Sequence, residues 1–261
     1  MEEAEEWDLI IDDKIPATLV NHHDKLSRSF LIVIHGFGEN RRDALSLFRT
    51  AFERGFNIIA IDAREHGDRK GTDLLKMVVG NPFLFTNMLT GTAEDVSIVI
   101  DYLTSNFSVK KFILAGVSMG GMITYIAISR EKRINAAVSI IAGSISELLN
   151  QGSRIKSELK IRTDLIDLTS SEIKKMLNKV DVLAFTEKCP PTPLLILAGE
   201  ADNIVPLFSI RKAYESLTPA YEKVGASYNL KMITYPGVKH KVTNKMIVDV
   251  LQWLLSKVPP T

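Results

Sequence analysis

Short apolar runs alternate along the chain with longer amphipathic stretches. The runs are "FLIVI" (30–34), "NIIAI" (57–61), "KFILAG" (111–116), "AAVSIIA" (136–142), "PLLILAG" (193–199) and "NLKMITY" (229–235). Most are apolar at nearly every position, the pattern of strands buried on both faces; a half-exposed strand would alternate instead. Between them, "NRRDALSLFRTAFERG" sets Ala44, Leu47, Phe48 and Ala51 on one helical face and ends at Gly55, a C-terminal cap signal. "TAEDVSIVIDYLTSN" opens on Thr92 with Asp95 three residues on, resembling a capping box and predicting a helix start there. "MGGMITYIAISRE" and the terminal "TNKMIVDVLQWLLSKV" also read as helices. This alternation predicts an α/β fold with a mostly parallel central sheet and helices on both faces. "WDLIID" and "ATLVN", with no helix between them, predict an antiparallel N-terminal edge hairpin.

Two stretches interrupt the rhythm. Residues 64–91 contain "GNPFLFTNMLTG"; residues 143–190 contain the helix-like "TSSEIKKMLNKVDVLAF", with Ser170 or Ser171 as a cap before Glu172. Neither is large enough for a separate domain, so residues 1–261 are expected to form one domain with a small helical insertion. Both stretches follow strands, where α/β folds gather ligand contacts. Residues 143–190 therefore read as a partial lid or site wall, or equally as a helical decoration that touches no substrate.

The formal charge of +1 over 261 residues gives no attraction for a polyanion. Nucleic acid is not an expected partner, and aromatic and basic residues are not interleaved as RNA readers require. A single cysteine, Cys189, excludes an intramolecular disulfide and reads as a packing residue. The acidic start "MEEAEEWDLI" is unlike a secretory signal, and no apolar run is long enough for a membrane span. A cytoplasmic protein is expected. His22 and His23 are adjacent rather than at metal-ligand spacing and read as an exposed loop; no phosphate-loop motif occurs, so neither metal nor cofactor is expected.

The chemistry is concentrated in "GVSMGG" (116–121), where one serine stands between glycines at a handover from strand to helix. This matches the G-x-S-x-G nucleophile elbow, and the chain resembles the α/β-hydrolase superfamily in its esterase and lipase-like branch. It is similar also to the catalytic domain of prolyl-oligopeptidase-type enzymes. The resemblance runs from about residue 30 to the end and implies the order serine, acid, histidine. Ser118 is then the nucleophile, with Gly116 and Gly120 leaving room for the turn and Gly121 also usual in the family. "GEADNIVP" resembles the acid turn and selects Asp202, with Glu200 as the alternative. Only His240, in "YPGVKHKVTN", follows the acid; His66 is its rival but precedes the serine. "VIHGFG" resembles the oxyanion loop, so the backbone N–H groups of Phe37 and Met119 are implied as donors, with His35 and Gly36 in support. "DAREHG" is similar to a family turn in which Asp62, Arg64 and His66 tie loops together.

The reading that follows is a serine hydrolase, carboxylesterase-like, acting on a small-molecule ester through an acyl-enzyme. Phe83, Phe85, Met88 and Leu89 suggest an apolar acyl or alcohol group in the substrate, or else simply a core. A peptidase of prolyl-oligopeptidase type, a thioesterase, and a non-catalytic binding scaffold are the alternatives. A homodimer is compatible with the sequence.

Overall fold

The computed structural model describes residues 5–22, 28–71, 82–150 and 171–260. Eight strands form one sheet: β1 (Glu5–Ile11), β2 (Ile15–Asn21), β3 (Ser29–Ile34), β4 (Asn57–Ile61), β5 (Lys111–Val117), β6 (Ile134–Ile140), β7 (Leu194–Gly199) and β8 (Leu230–Tyr235). Their spatial order is β1-β2-β4-β3-β5-β6-β7-β8. The β1–β2 and β2–β4 pairs are antiparallel and all others parallel, so the predicted edge hairpin and mostly parallel sheet are both present.

Successive side chains on a strand face opposite sides, and the core divides accordingly. Phe30, Ile32 and Ile34 of β3 join Phe112 and Leu114 of β5 on one face. Leu31 and Val33 join Ile113, Ala115 and Val117 on the other. The helices α1 (Arg41–Phe52), α2 (Pro82–Asn106), α3 (Met119–Arg130), α4 (Ile145–Asn150), α5 (Ser171–Val180), α6 (Leu207–Lys223) and α7 (Asn244–Lys257) cover both faces. The first face is covered by α2, α3 and α6 through Leu89, Ile123, Leu217 and their neighbours. The second is covered by α1 and α7 through Phe48, Trp253 and Leu254. Buried from Met119 through Ser129, α3 runs through the interior, consistent with its near-continuous apolar sequence.

One expected helix boundary is wrong. The helix does not begin at Thr92 but runs unbroken from Pro82 to Asn106. Thr92 Oγ1 donates to the Met88 carbonyl within the helix at 2.8 Å and accepts the Arg64 N–H at 3.0 Å. Asp95 binds arginines instead of a cap. Met88 and Leu89 are consequently core residues, whereas Phe83 is exposed. His22 is not a free loop residue either: its ring stacks on Phe52 and its Nε2 donates to the Phe52 carbonyl. His23 and Ser170 lie outside the described residues.

The two ends of the 143–190 segment are tied at Asp181. Its Oδ2 accepts from Ser144 Oγ at 3.0 Å and from the Ser146 N–H at 2.7 Å, and its Oδ1 accepts from the Leu183 N–H at 3.1 Å. Cys189 is buried, and burial pushes its thiol up to about 12, consistent with a packing role. Among the described residues, no helix is long and apolar enough to cross a membrane.

Candidate active site

The chain leaves β3 for β4 on one side and reaches β5 on the other, so the C-terminal ends of β3 and β5 flank the point where the winding reverses. Ligand crevices of open α/β sheets form at such points. His35 and Gly36 emerge from β3 there, and Ser118 from β5.

Ser118 joins β5 to α3 at φ 53° and ψ −112°, a left-handed conformation that costs a non-glycine residue energy. Its N–H donates to the Ile140 carbonyl at 2.8 Å, which holds the bend against β6. The glycines are needed for close approach. A Cβ on Gly116 would stand 2.1 Å from the Gly120 carbonyl oxygen, and one on Gly120 2.3 Å from that of Ile34. The start of α3 is thereby pressed against the end of β3.

Ser118 Oγ lies 3.0 Å from His240 Nε2, and His240 Nδ1 lies 2.7 Å from Asp202 Oδ2. The Asp202 carboxylate is fully buried, while the His240 side chain is 18% exposed and so reachable by solvent. Asp202 Oδ1 accepts the N–H groups of Ile204 and Val205, each at 2.9 Å. An ionised carboxylate only accepts, so Nδ1 carries the imidazole proton and Nε2 faces the serine as an acceptor. The histidine loop is fastened to the acid turn by the Ala201 N–H, which donates to the Val238 carbonyl at 2.9 Å.

The alternatives are placed elsewhere. Glu200 is exposed and accepts from Thr234 Oγ1 at 2.7 Å. His66 is buried, with its Nδ1–H donating to the Arg64 carbonyl and its ring against His35 and Phe37. No hydrogen bond joins it to Ser118.

The Phe37 and Met119 N–H groups have no hydrogen-bond partner among the described residues. Met119 opens α3, where helix geometry leaves the first amides free. Two unsatisfied donors on adjoining backbone segments can stabilise negative charge on a substrate oxygen. His35 is fully buried and bonds on both sides: its Nδ1–H donates to the Gly36 carbonyl at 2.7 Å, and its Nε2 accepts the Ala63 N–H at 3.1 Å.

Beneath the site lies a network that sequence reading located only in part. Asp62 receives the Arg41 N–H at 2.8 Å, Arg41 Nη1 at 2.5 Å and the Asp68 N–H at 2.9 Å. Asp95 takes Arg64 through two nitrogens and Arg69 at 2.7 Å. Arg41, Arg69 and Asp95 carry no local motif that signals these roles.

Burial holds the imidazoles of His35 and His66 below the ordinary histidine value of 6.5. Below that pH the unfolded chain binds protons that the folded state resists, so stability rises with pH there and is lost as pH falls beneath 6.5. Urea unfolding between about pH 7 and about pH 5.5 is expected to show this decline. His66→Asn, which cannot titrate, should reduce the slope; an unchanged slope would refute the assignment.

Among known proteins, the model described as Serine aminopeptidase, S33 (Hydrolase_4) matches residues 26–166, more than half of the chain. A Bacillus subtilis (strain 168) protein named as an esterase, YitV, is 25% identical over 226 residues, 85% of this chain and 87% of that protein. Of solved structures, TT1662 from Thermus thermophilus superposes with a TM-score of 0.77 at 21% identity, covering 97% of this chain and 98% of its own. The Pyrococcus furiosus esterase Pf2001 gives 0.68 at 18% identity, covering 98% and 93%. Acetyl xylan esterase 1 from Thermoanaerobacterium sp. gives 0.70 at 17% identity, covering 98% and 87%. With the sheet, the elbow and the family match in agreement, this chain belongs to the Hydrolase_4 (serine aminopeptidase, S33) family of α/β hydrolases.

Proposed function

We propose that the protein is a carboxylesterase-like serine hydrolase in which Ser118, His240 and Asp202 form the catalytic triad. The observation that carries this reading is the hydrogen-bonded relay from Asp202 through His240 to Ser118, at 2.7 and 3.0 Å, beside two amides with no partner. Ser118 Oγ attacks the ester carbonyl carbon as its proton passes to His240 Nε2. The carbonyl oxygen becomes an oxyanion and takes the N–H groups of Phe37 and Met119. Collapse of the tetrahedral species breaks the bond to the alcohol, which leaves with the proton from His240. Water, deprotonated by the same imidazole, then attacks the acyl-enzyme, and collapse releases the acid and restores Ser118. Asp202 holds the tautomer throughout and stabilises the transient imidazolium.

An amide substrate is the second reading, favoured by the aminopeptidase description of the family model. An aminopeptidase must also bind its substrate's ammonium group. The esterase names of the relatives favour the ester. A p-nitrophenyl ester of a short acid and an aminoacyl p-nitroanilide, assayed in parallel, separate the two. The ester should be turned over and lost in Ser118→Ala; faster release from the anilide would make the protein a peptidase.

A further inference from the structure

The loop that carries the Phe37 N–H holds a carboxylate that the triad does not use. Residues 36–39 form a tight turn in which the Glu39 N–H donates to the Gly36 carbonyl at 3.3 Å, and Gly38, in its third position, adopts φ 82°. The Glu39 side chain folds back over this turn, and its Oε2 accepts the Gly36 N–H at 2.8 Å. Gly36 leaves the necessary space, since a Cβ there would stand 2.9 Å from that oxygen. No lysine or arginine among the described residues pairs with Glu39, and its carboxylate is held by a backbone amide.

The peptide joining Gly36 to Phe37 is planar and trans, so its C=O and N–H point in opposite directions. Fixing the Gly36 carbonyl therefore aims the Phe37 N–H. That carbonyl is held by His35 Nδ1–H at 2.7 Å and by the Glu39 N–H. The preceding peptide, which carries the Gly36 N–H, is held by the Glu39 carboxylate. Glu39 thus grips Gly36 from both of its peptide planes, through a main-chain donor and a side-chain acceptor. A hydrogen bond to an ionised acceptor is about twice as strong as a neutral one. It suits a loop that must keep one donor unsatisfied and correctly aimed before substrate arrives.

We propose that Glu39 is a positioning residue for the oxyanion hole: its carboxylate, on the Gly36 N–H, locks the turn that presents the Phe37 N–H to the transition state. This rests on the serine-hydrolase reading above. The donor acts on charge that develops during the reaction, so loosening it lowers kcat and spares KM.

Glu39→Ala and Glu39→Gln are compared on the full-length protein with the same p-nitrophenyl ester. The alanine variant is expected to lose about tenfold in kcat, equivalent to about 1.4 kcal/mol of transition-state stabilisation, with KM within about twofold of the parent. The glutamine variant, whose amide oxygen can still accept the Gly36 N–H, should stay within about threefold of the parent. An arylboronic acid, which forms a tetrahedral adduct on the serine, should bind the alanine variant more weakly by the factor that kcat falls. A purely structural role would lower the thermal midpoint without this matched change. An unchanged kcat in Glu39→Ala, a loss confined to KM, or a glutamine variant as impaired as alanine would each overturn the proposal. Ester turnover surviving in Ser118→Ala would remove the underlying reading instead, and the proposal with it.

Discussion

Asp202→Asn is expected to lower kcat about ten-thousand-fold, the scale seen when a triad aspartate is amidated elsewhere. The reason lies in the two backbone donors on its other oxygen. Ile204 and Val205 both point N–H groups at Oδ1. An asparagine can satisfy them only by turning its carbonyl oxygen toward them, which presents its NH2 to His240 Nδ1. Two donors cannot share one hydrogen bond, so the imidazole must move its proton to Nε2 and offer Ser118 a donor rather than a base. The variant should fold normally, since its polar contacts are conserved, and fail through the tautomer alone. His240→Ala should be comparably damaged because it removes the proposed base. Glu200→Gln should differ little from the parent, because Glu200 bonds Thr234 rather than His240. Steady-state ester hydrolysis by the three variants checks all of this, and a greater loss in Glu200→Gln would reassign the acid.

The largest effect on stability is expected from Asp62→Ala. Its carboxylate is fully buried beneath the loops that carry His35 and His66, and Arg41 beside it is only 8% exposed. The pair is braced further by Thr18 on Arg41 Nε and by the Asp68 N–H on Asp62. Removing Asp62 takes away the buried partner of Arg41 and leaves its guanidinium beside the solvent-exposed Asp68 and Asp8, the latter at 3.8 Å, and the loss of a buried partner costs up to about 3–5 kcal/mol. For a chain of this size that corresponds to a midpoint lower by roughly 10 °C. Asp68, which also contacts Arg41 at 2.8 Å, is largely exposed and cannot substitute for the buried charge. Thermal unfolding followed by circular dichroism measures the loss; a midpoint within about 2 °C of the parent would show that the pair adds little.

The strands were legible because burial on both faces leaves runs such as "FLIVI" and "PLLILAG" with no polar register to obscure them. The residues of the proposed triad were legible through the resemblance of "GVSMGG" and "GEADNIVP" to family turns and the serine, acid, histidine order it implies; close backbone approach accounts for the glycines at Gly116, Gly120 and Gly199. The structure brings Ser118, Asp202 and His240 within hydrogen-bonding distance and keeps Glu200 and His66 apart from them. What local pattern could not reveal was long-range pairing. Thr92 and Asp95 imitate a capping box, but Asp95 serves Arg64 and Arg69, which lie in a turn remote in sequence. The better signal was Pro82, the first residue of the helix, where a missing N–H costs nothing. Nothing in "HGFGEN" marks Glu39 as a side chain that folds back onto a backbone amide. Asp181 likewise ties the start of the 143–190 segment to its later part, a contact that no spacing rule anticipates.

Mass-spectrometric mapping of a fluorophosphonate adduct tests the central claim most directly, because the reagent phosphonylates a serine oxygen only where a base activates it. One adduct per chain is expected on Ser118, absent in Ser118→Ala and sharply reduced in His240→Ala. Modification of a different serine, or full labelling of Ser118 without His240, would contradict the account.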